Sequence, residues 1–410
     1  KNYIGHRKNY IRHNSNYIRP FFAQNKHLKN KSLQQTLSNR QFSEIQYIKK
    51  SAPCYGKNSA TAIFSVLPPV AFAKMLIFAA SMKYSIIIPV YNRPDEVGEL
   101  LESIAAQPRP DVEVVIVEDG SQTTCEEVVA RYHNRLHTTY LYKENGGPAA
   151  ARNYGAQQAS GEWLIILDSD VVLPPGYFEA VDSGLEKLGC DAFGGPDRAA
   201  DSFTPVQKAI SYAMTSFFTT GGIRGGKKKM DKFYPRSYNM GIRSEVYQKL
   251  GGFSPMRFGE DIDFSYRIVE NGCKACLIPQ AWVWHKRRTD FHKFFKQVHN
   301  SGIARINLEK RHPGTMKLVH TLPALFTVGC FVLVVGGFVC LWSILPLALY
   351  ALLVFLGSLA TFRSLRVALL SVPAAFIQLI GYGSGFIVAS VRRNILKEKE
   401  FEAFKDNFYK

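Results

Sequence analysis

The chain has 410 residues, of which 46% are hydrophobic, and its formal net charge is +18. This length predicts two or three domains, and the hydrophobic content is enough for a packed core together with membrane segments. So positive a charge would suggest nucleic acid or an anionic surface. Residues 1–81, however, hold 13 basic residues and one acidic residue, so they carry +12, and only +6 remains for the rest of the chain. We therefore expect no nucleic-acid partner.

Residues 1–81 differ in character from everything that follows them. The tripeptide Asn-Tyr-Ile recurs there at a step of seven residues, at positions 2–4, 9–11 and 16–18. The residues between the repeats are mostly polar, so no coiled-coil seam forms. Two interpretations stay open: translated upstream DNA ahead of a natural start at Met75 or Met82, or a genuine basic, disordered arm.

Strands and helices alternate after residue 82. The apolar strands are nearly continuous, which predicts a mostly parallel sheet with helices on both faces. Asp95 is expected to cap the first helix. The predicted strands are Tyr84–Val90, Val112–Val117, Thr139–Tyr142 and Trp163–Leu167. The first predicted helix begins at Asp95, the second runs from about Cys125 to Arg135, and the third begins at Ala149, after Gly146-Gly147-Pro148.

Two carboxylates follow the fourth strand directly, in Asp168-Ser169-Asp170. Open α/β sheets bind ligands at the carboxyl ends of their strands. Residues i and i+2 of an extended chain share a face, and two carboxylates on one face can hold a hard divalent cation that in turn holds a diphosphate. An isolated pair of this kind could equally cap a turn before Pro174-Pro175.

The region after residue 190 contains a loose segment and a second acidic group. Residues 192–240 are rich in glycine and include Lys227-Lys228-Lys229, which suggests a lid. Glu260 and Asp261 open a helix, and a later strand ends at His285. The next helix is basic and amphipathic, a pattern typical of membrane surfaces.

Three apolar stretches follow, at residues 318–342, 344–361 and 367–391. Each is about long enough to cross a bilayer. Placing Arg363, Arg366 and the charged tail all on the cytoplasmic side is incompatible with three full spans. We therefore expect the third stretch to be re-entrant or interfacial, broken at Pro373 and at Gly381-Tyr382-Gly383-Ser384-Gly385.

Five motifs in residues 84–300 together resemble the family 2 glycosyltransferases, which have the nucleotide-sugar-binding GT-A fold. They begin at Ser85, Val117, Gly147, Asp168 and Gly259 and read SIIIPVYNR, VEDGS, GPAAARN, DSD and GED. The resemblance implies an α/β GT-A domain at residues 82–310, a membrane region at 311–391 and a charged tail at 392–410. It also implies a bacterial, membrane-anchored, inverting transferase.

The same resemblance implies a role for each motif residue. Asp168, Asp170 and His285 would hold Mn²⁺ or Mg²⁺, although His285 could instead contact the diphosphate or be structural. The remaining donor-side residues would contact the nucleotide sugar: Pro89, Tyr91, Asn92, Arg93, Glu118, Asp119, Gly147, Arg152, Asp168 and Ser169.

On the acceptor side, Asp261 resembles the family's catalytic base and Glu260 would orient it or bind the acceptor. A purely structural alternative is that Asp261 only caps the helix that starts at Ile262. Processive members of the family carry a Q-x-x-R-W motif beyond the base. The comparable region here, Gln297–Arg305, lacks it, so the resemblance favours transfer of a single sugar.

The donor is then expected to be a nucleotide-diphosphate sugar, with UDP as the nucleotide, and the acceptor a hydroxyl of a lipid-linked or similar glycan. The location expected is the inner (plasma) membrane, with several spans, membrane lipids as partners and the catalytic domain in the cytoplasm. One alternative is a polyprenyl-phosphate glycosyltransferase, whose acceptor is the lipid phosphate itself. Another is a non-catalytic membrane scaffold.

Overall fold

The structure is a computed structural model, and it describes residues 83–107, 109–198, 203–220, 233–286 and 290–400. The N-terminal extension lies outside these residues. So do the lysine run of the expected lid and the last ten residues of the tail, 401–410.

A seven-stranded mixed sheet forms the centre, in the order β3-β2-β1-β4-β8-β6-β9. β1, β2, β3 and β4 are parallel, and β8 runs antiparallel to both β4 and β6. The expected fold class, a mostly parallel α/β sheet, is confirmed. The strands are β1 (Tyr84–Val90), β2 (Val112–Asp119), β3 (His137–Lys143), β4 (Trp163–Leu167), β5 (Val171–Val172), β6 (Ala192–Gly194), β7 (Asp197–Arg198), β8 (Asn239–Arg243), β9 (Ala275–Leu277) and β10 (Val283–His285).

Helices cover both faces of this sheet. Successive strand residues point to opposite sides, so these apolar strands have apolar side chains on both faces, and both faces are buried under helices. Ile86 and Ile88 pack with Leu100 and Phe178 in one buried cluster, whereas Ile87 belongs to a second cluster on the other side. The helices are α1 (Pro94–Ala105), α2 (Glu126–Ala130), α3 (Gly147–Gln158), α4 (Tyr177–Leu188), α5 (Pro205–Thr215), α6 (Phe217–Thr220), α7 (Ser244–Lys249), α8 (Glu260–Glu270), α9 (Phe291–Arg311), α10 (Leu322–Gly337), α11 (Leu345–Phe362) and α12 (Leu365–Ser390).

Helix boundaries differ from the sequence prediction at α1, α2 and α3, the last of which begins at Gly147 and not at Ala149. α1 begins at Pro94, so Asp95 lies inside the first turn and is not its cap; proline suits the first helical position because it lacks an N–H. α2 ends at Ala130 instead of near residue 135. The chain tightens there into turns, with Tyr132 N bonded to Val129 O at 2.9 Å, before it enters β3.

A small second sheet, in the order β5-β10-β7, fixes the edge of the cleft. β10 pairs antiparallel with β5, and His285 stands opposite Val171. Residue 171 follows Asp170 directly, so this pairing brings the end of β10 beside the carboxylates that follow β4.

Three helical segments at the C-terminal end are long and apolar enough to cross a membrane: Leu318–Gly337, Leu341–Phe362 and Leu365–Ile395. The expected break in the third is wrong, because α12 continues through Pro373 and through the glycine-rich segment. Those glycines serve close packing. A Cβ built on Gly385 would lie 2.0 Å from the carbonyl oxygen of His299 in α9.

Gly302 in α9 gives a test of this packing. A Cβ there would lie 2.1 Å from the carbonyl oxygen of Tyr382 in α12. Replacing a helical Gly with Ala ordinarily stabilises a helix by about 1 kcal/mol, but here the two helices must separate, which costs about 1–3 kcal/mol. We expect Gly302→Ala to lower the midpoint temperature of unfolding in detergent.

Gly329→Ala is the matched control, since nothing lies within 4 Å of a Cβ at that position in α10. It is expected to leave the unfolding midpoint unchanged or to raise it slightly. Equal effects of the two substitutions would contradict the close packing of α9 against α12.

Candidate functional site

The carboxyl ends of β1, β2 and β4 meet at one edge of the sheet, since these strands are parallel neighbours. The polar motifs predicted from the sequence follow each of these strands in turn. The candidate site is therefore a cleft along this edge, closed on one side by the start of α3 and on another by the start of α8.

Asp168, Asp170 and His285 converge in the cleft, as expected. Each offers one ligand atom, and these atoms all lie within 4.8 Å of one another. The backbone N–H of Lys286 donates to the carbonyl oxygen of Asp170 at 3.1 Å, which fixes the end of β10 beside the acidic turn. Two carboxylates and an imidazole are donors that divalent cations accept, so the three residues fit a metal of the expected kind.

Asp170 is held from two sides. His285 Nε2 lies 3.2 Å from Asp170 Oδ1, and an Arg93 nitrogen bonds the other carboxylate oxygen. Burial by itself would raise the pKa of Asp170, but the contacts with His285 and Arg93 outweigh it and hold the pKa well below its usual range. Arg93, predicted to line the nucleotide pocket, thus lies directly against a candidate metal ligand.

Arg152 links two parts of the cleft. Its side chain is 5% exposed, and its two terminal nitrogens lie 2.9 Å from Asp168 Oδ1 and 2.9 Å from Glu260 Oε1. Arg152 Nε is buried and has no hydrogen-bond partner among the residues that the structure describes. The guanidinium therefore joins the acidic turn after β4 to the first turn of α8. Of its nitrogen atoms, Nε is the one that bonds neither carboxylate.

Glu260 and Asp261 form the first turn of α8. The N-cap residue is Gly259, with φ +84°, so the structural alternative that makes Asp261 the cap is wrong. Asp261 Oδ1 accepts a hydrogen bond from Ile262 N at 2.9 Å, and Asp261 Oδ2 lies 2.7 Å from Arg236 Nε. The N-terminal end of a helix is a favourable place for a carboxylate.

The adjacent carboxyls of α8 differ in their proton affinity. Burial raises the pKa of Glu260, helped by the negative charge of Asp261 and opposed by Arg152. Burial also acts to raise the pKa of Asp261, but the ion pair with Arg236 outweighs it and lowers that pKa. Of the two, Asp261 is therefore the stronger acid.

On the other side of the cleft, Asp119 closes the loop that opens α3. Its carboxylate oxygens accept from Gly146 N at 2.8 Å and Gly147 N at 2.7 Å, and Lys143 Nζ lies 2.7 Å away. The predicted contacts of Asp119 and Gly147 with a nucleotide stay predictions.

Asn92 fixes a neighbouring loop. It adopts φ +52°, and its side-chain oxygen accepts from Gln122 N at 2.8 Å and Thr123 N at 3.0 Å. Three more predicted contacts, Pro89, Tyr91 and Ser169, are part-buried or buried at the same edge.

Glu118 requires a correction. Its carboxylate is completely buried and accepts from Ser121 Oγ and from Cys125 N at 3.0 Å, with Tyr140 at 3.2 Å. Neighbouring strand residues point to opposite faces, so Glu118 lies on the side away from Asp119. It stabilises the loop after β2 and does not face the cleft.

Three residues at the site had not been predicted: Arg236, Lys143 and Tyr238. Tyr238 stacks on His285, with 5.1 Å between ring centroids. Arg236 and Tyr238 precede β8 in Tyr234-Pro-Arg-Ser-Tyr238, directly after the glycine-rich segment. The sequence did contain a signal for Arg236, namely a basic residue directly after the predicted lid.

A cluster of acidic residues beside a helix N-terminus, at the carboxyl edge of parallel strands, is an arrangement in which many α/β proteins bind nucleotides. Comparison with known families makes this specific, because the glycosyl transferase family 2 model matches residues 85–251. Residues 85–251 of this chain are thus similar to the glycosyl transferase family 2 domain.

Relatives among curated proteins carry names of the same kind. An uncharacterised glycosyltransferase of Rickettsia typhi is 38% identical over 193 residues, which cover 45% of this chain and 58% of that protein. Validoxylamine A glucosyltransferase of Streptomyces hygroscopicus is 27% identical over 228 residues, 48% of this chain and 54% of that protein. The poly(ribitol-phosphate) β-N-acetylglucosaminyltransferase of Staphylococcus aureus is 40% identical over 93 residues, 22% of this chain and 16% of that protein. The chain thus spans little more than half the length of these relatives, or less.

Solved structures with a similar chain path include a mannosyltransferase of Pyrobaculum calidifontis in complex with GDP-Man and Mn²⁺. That structure is 19% identical, with a TM-score of 0.49 and coverage of 78% of this chain and 88% of the other. The S. aureus enzyme in complex with UDP-GlcNAc is 19% identical, with a TM-score of 0.41 and coverage of 76% and 92%.

Proposed function

We propose that this protein is a metal-dependent, inverting glycosyltransferase that moves one sugar from a nucleotide-diphosphate donor to an acceptor hydroxyl. The observation that carries the proposal is the double ion pair of Arg152. It ties Asp168, a candidate metal ligand on the donor side, to Glu260, next to the candidate base on the acceptor side. One buried guanidinium thereby sets the distance between the two halves of the reaction.

The charge of the cleft suits a metal diphosphate. Asp168, Asp170, Glu260 and Asp261 are countered by the guanidinium groups of Arg93, Arg152 and Arg236. Four carboxylates against three cations leave one net negative charge, before any contribution from His285. A divalent cation bound by Asp168, Asp170 and His285 would make the cleft positive and stabilise the charge that grows on the leaving diphosphate.

The residues of α8 would then act on the acceptor. The acceptor oxygen forms a bond to the anomeric carbon while the bond from that carbon to the diphosphate oxygen breaks, and the acceptor proton passes to Asp261. Arg152 keeps Glu260 in place beside the base. The nucleoside diphosphate leaves with the bonding electron pair.

UDP-linked hexoses are the first donors to test. Two of the relatives are named as a glucosyltransferase and an N-acetylglucosaminyltransferase, and the latter was solved with UDP-GlcNAc. The acceptor is expected to be a lipid-linked or similar glycan, because three helices long and apolar enough to cross a membrane follow the domain. Membrane lipids are then the protein's surroundings.

We infer a bacterial inner-membrane location with the domain in the cytoplasm, where nucleotide sugars are made. The hairpin of α10 and α11 supports this orientation. It returns the chain to the side from which it came, and Arg363 and Arg366 then lie on the same side as the domain, as the positive-inside rule requires.

Hydrolysis of a panel of nucleotide sugars by the purified full chain, with and without Mn²⁺, tests the proposal. We expect Mn²⁺-dependent release of the nucleoside diphosphate from at least one donor. No turnover of any donor, together with no Mn²⁺-dependent nucleotide binding in calorimetry, would instead favour a membrane scaffold without activity.

A further inference from the structure

Arg236 contacts the candidate base, Asp261, and the proposed function gives it no role. Its Nε lies 2.7 Å from Asp261 Oδ2, and the other carboxylate oxygen is bonded by Ile262 N. Both oxygens of Asp261 are therefore fixed, one by the helix backbone and one by a side chain from a different part of the chain. The Arg236 side chain is 38% exposed, whereas that of Asp261 is 13% exposed.

The backbone around Arg236 is anchored to α8. Ser265 Oγ donates to the carbonyl oxygen of Pro235, and Asn239 N donates to the carbonyl oxygen of Arg236 at 3.1 Å. Ser237 is buried. The backbone of Arg236 is therefore held beside α8 by the fold, within reach of Asp261.

Each carboxyl of the first turn of α8 has its own cation. Arg152, from α3, pairs with Glu260, and Arg236, from the segment before β8, pairs with Asp261. Three charged groups act on Asp261: Arg236, Arg152 at longer range, and Glu260 on the same helix. Arg236 is the nearest cation, and Arg152 is already shared between Glu260 and Asp168.

We propose that Arg236 is a positioning residue that holds the Asp261 carboxylate in the orientation and charge state required by a hydroxyl acceptor. This inference rests on the proposed function. It also refines the acceptor class, because a phosphate acceptor is already ionised and gains little from a base.

The sign of the pH effect follows from the contacts. Without Arg236, burial and the negative charge of Glu260 remain, and both raise the pKa of Asp261. The ionised fraction of the base then falls at a higher pH than in the unaltered protein. Activity is lost on the acid side of the profile and recovers as the pH increases.

The test compares Arg236→Gln with Arg236→Lys. For Arg236→Gln we expect kcat near pH 6 to fall about tenfold, a part of the full contribution of a general base, with the acid limb of the kcat profile moved to higher pH. Arg236→Lys keeps a positive charge and is expected to restore the acid limb. Binding of UDP with Mn²⁺, measured by calorimetry, is expected to stay unchanged in both.

Arg243→Gln is the matched control. Arg243 is 35% exposed and pairs with Glu162 at 3.1 Å, but it lies at the opposite end of β8. It is expected to leave the pH profile unchanged. An equal, pH-independent loss of activity in Arg236→Gln and Arg243→Gln would overturn the proposal and leave only a structural role.

An infrared titration gives a readout that does not depend on turnover. The carboxyl band that disappears in Asp261→Asn is expected to protonate at a higher pH in Arg236→Gln than in the unaltered protein. An unchanged titration overturns the role of Arg236 even if the protein is an active transferase. A shifted titration in a protein that turns over no donor supports the ion pair while it refutes the proposed function.

Discussion

Replacing Asp261 with Asn is expected to lower kcat for sugar transfer by about 10²- to 10⁴-fold, the usual contribution of a general base. The amide keeps the shape of the side chain but cannot accept the acceptor's proton. Since Asp261 lies on α8 and not among the metal ligands, binding of UDP with Mn²⁺ is expected to persist. Steady-state kinetics and calorimetry on the same preparation check both parts.

Glu245→Gln is a suitable control, because Glu245 is an exposed acid in the first turn of α7. It removes one negative charge from a helix start away from the cleft and is expected to retain full activity. Substantial transfer by Asp261→Asn would refute the assignment of the base. Transfer to a polyprenyl phosphate by that variant would point to the alternative in which the lipid phosphate is the acceptor.

Replacing Asp168 with Asn is expected to abolish Mn²⁺-dependent nucleotide binding. Loss of a residue that hydrogen-bonds a metal ligand weakens metal binding by about 10- to 100-fold. Loss of a ligand itself is therefore expected to weaken metal binding by about 100-fold or more. Asp168→Asn also removes one of the two carboxylates that Arg152 joins. Calorimetric titration of UDP, with Mn²⁺ and with EDTA, measures the effect.

His285→Gln separates a functional His285 from a structural one. If His285 holds the metal or contacts the diphosphate, Mn²⁺-dependent binding of UDP weakens strongly; if it is structural and only orients Asp170, binding changes little and the acidic pair still holds the metal. Glu245→Gln again provides the charge control.

Unaltered nucleotide binding in Asp168→Asn would contradict a metal site at the end of β4.

Local sequence was sufficient for the parallel half of the sheet. The runs Tyr84–Val90 and Trp163–Leu167 have the bounds of β1 and β4 as the structure has them. Both are short, apolar and bounded by turn residues, a pattern typical of strands that are buried on both faces of a parallel sheet. The order of motifs at strand ends then placed Asp168 and Asp170 at the functional edge.

Local sequence was a poor guide where a residue's role depends on a distant segment. Glu118 and Asp119 are neighbours in one motif, yet the strand directs the first into the core and the second to the start of α3. The glycines near Gly385 look like helix breakers in isolation. They continue the helix because α9 packs against them closely enough to exclude a side chain.

The sequence by itself determined the class of domain, the acidic pair, the candidate base and the three apolar stretches, since each depends on residue type and spacing within one segment. Only the tertiary structure decided which arginine forms an ion pair with which carboxylate. Arg152 reaches from α3 to both Asp168 and Glu260, and Arg236 reaches Asp261 from the segment before β8. These pairs join residues up to 108 positions apart, and the strength of an ion pair depends on distance and burial, which only the packed chain fixes.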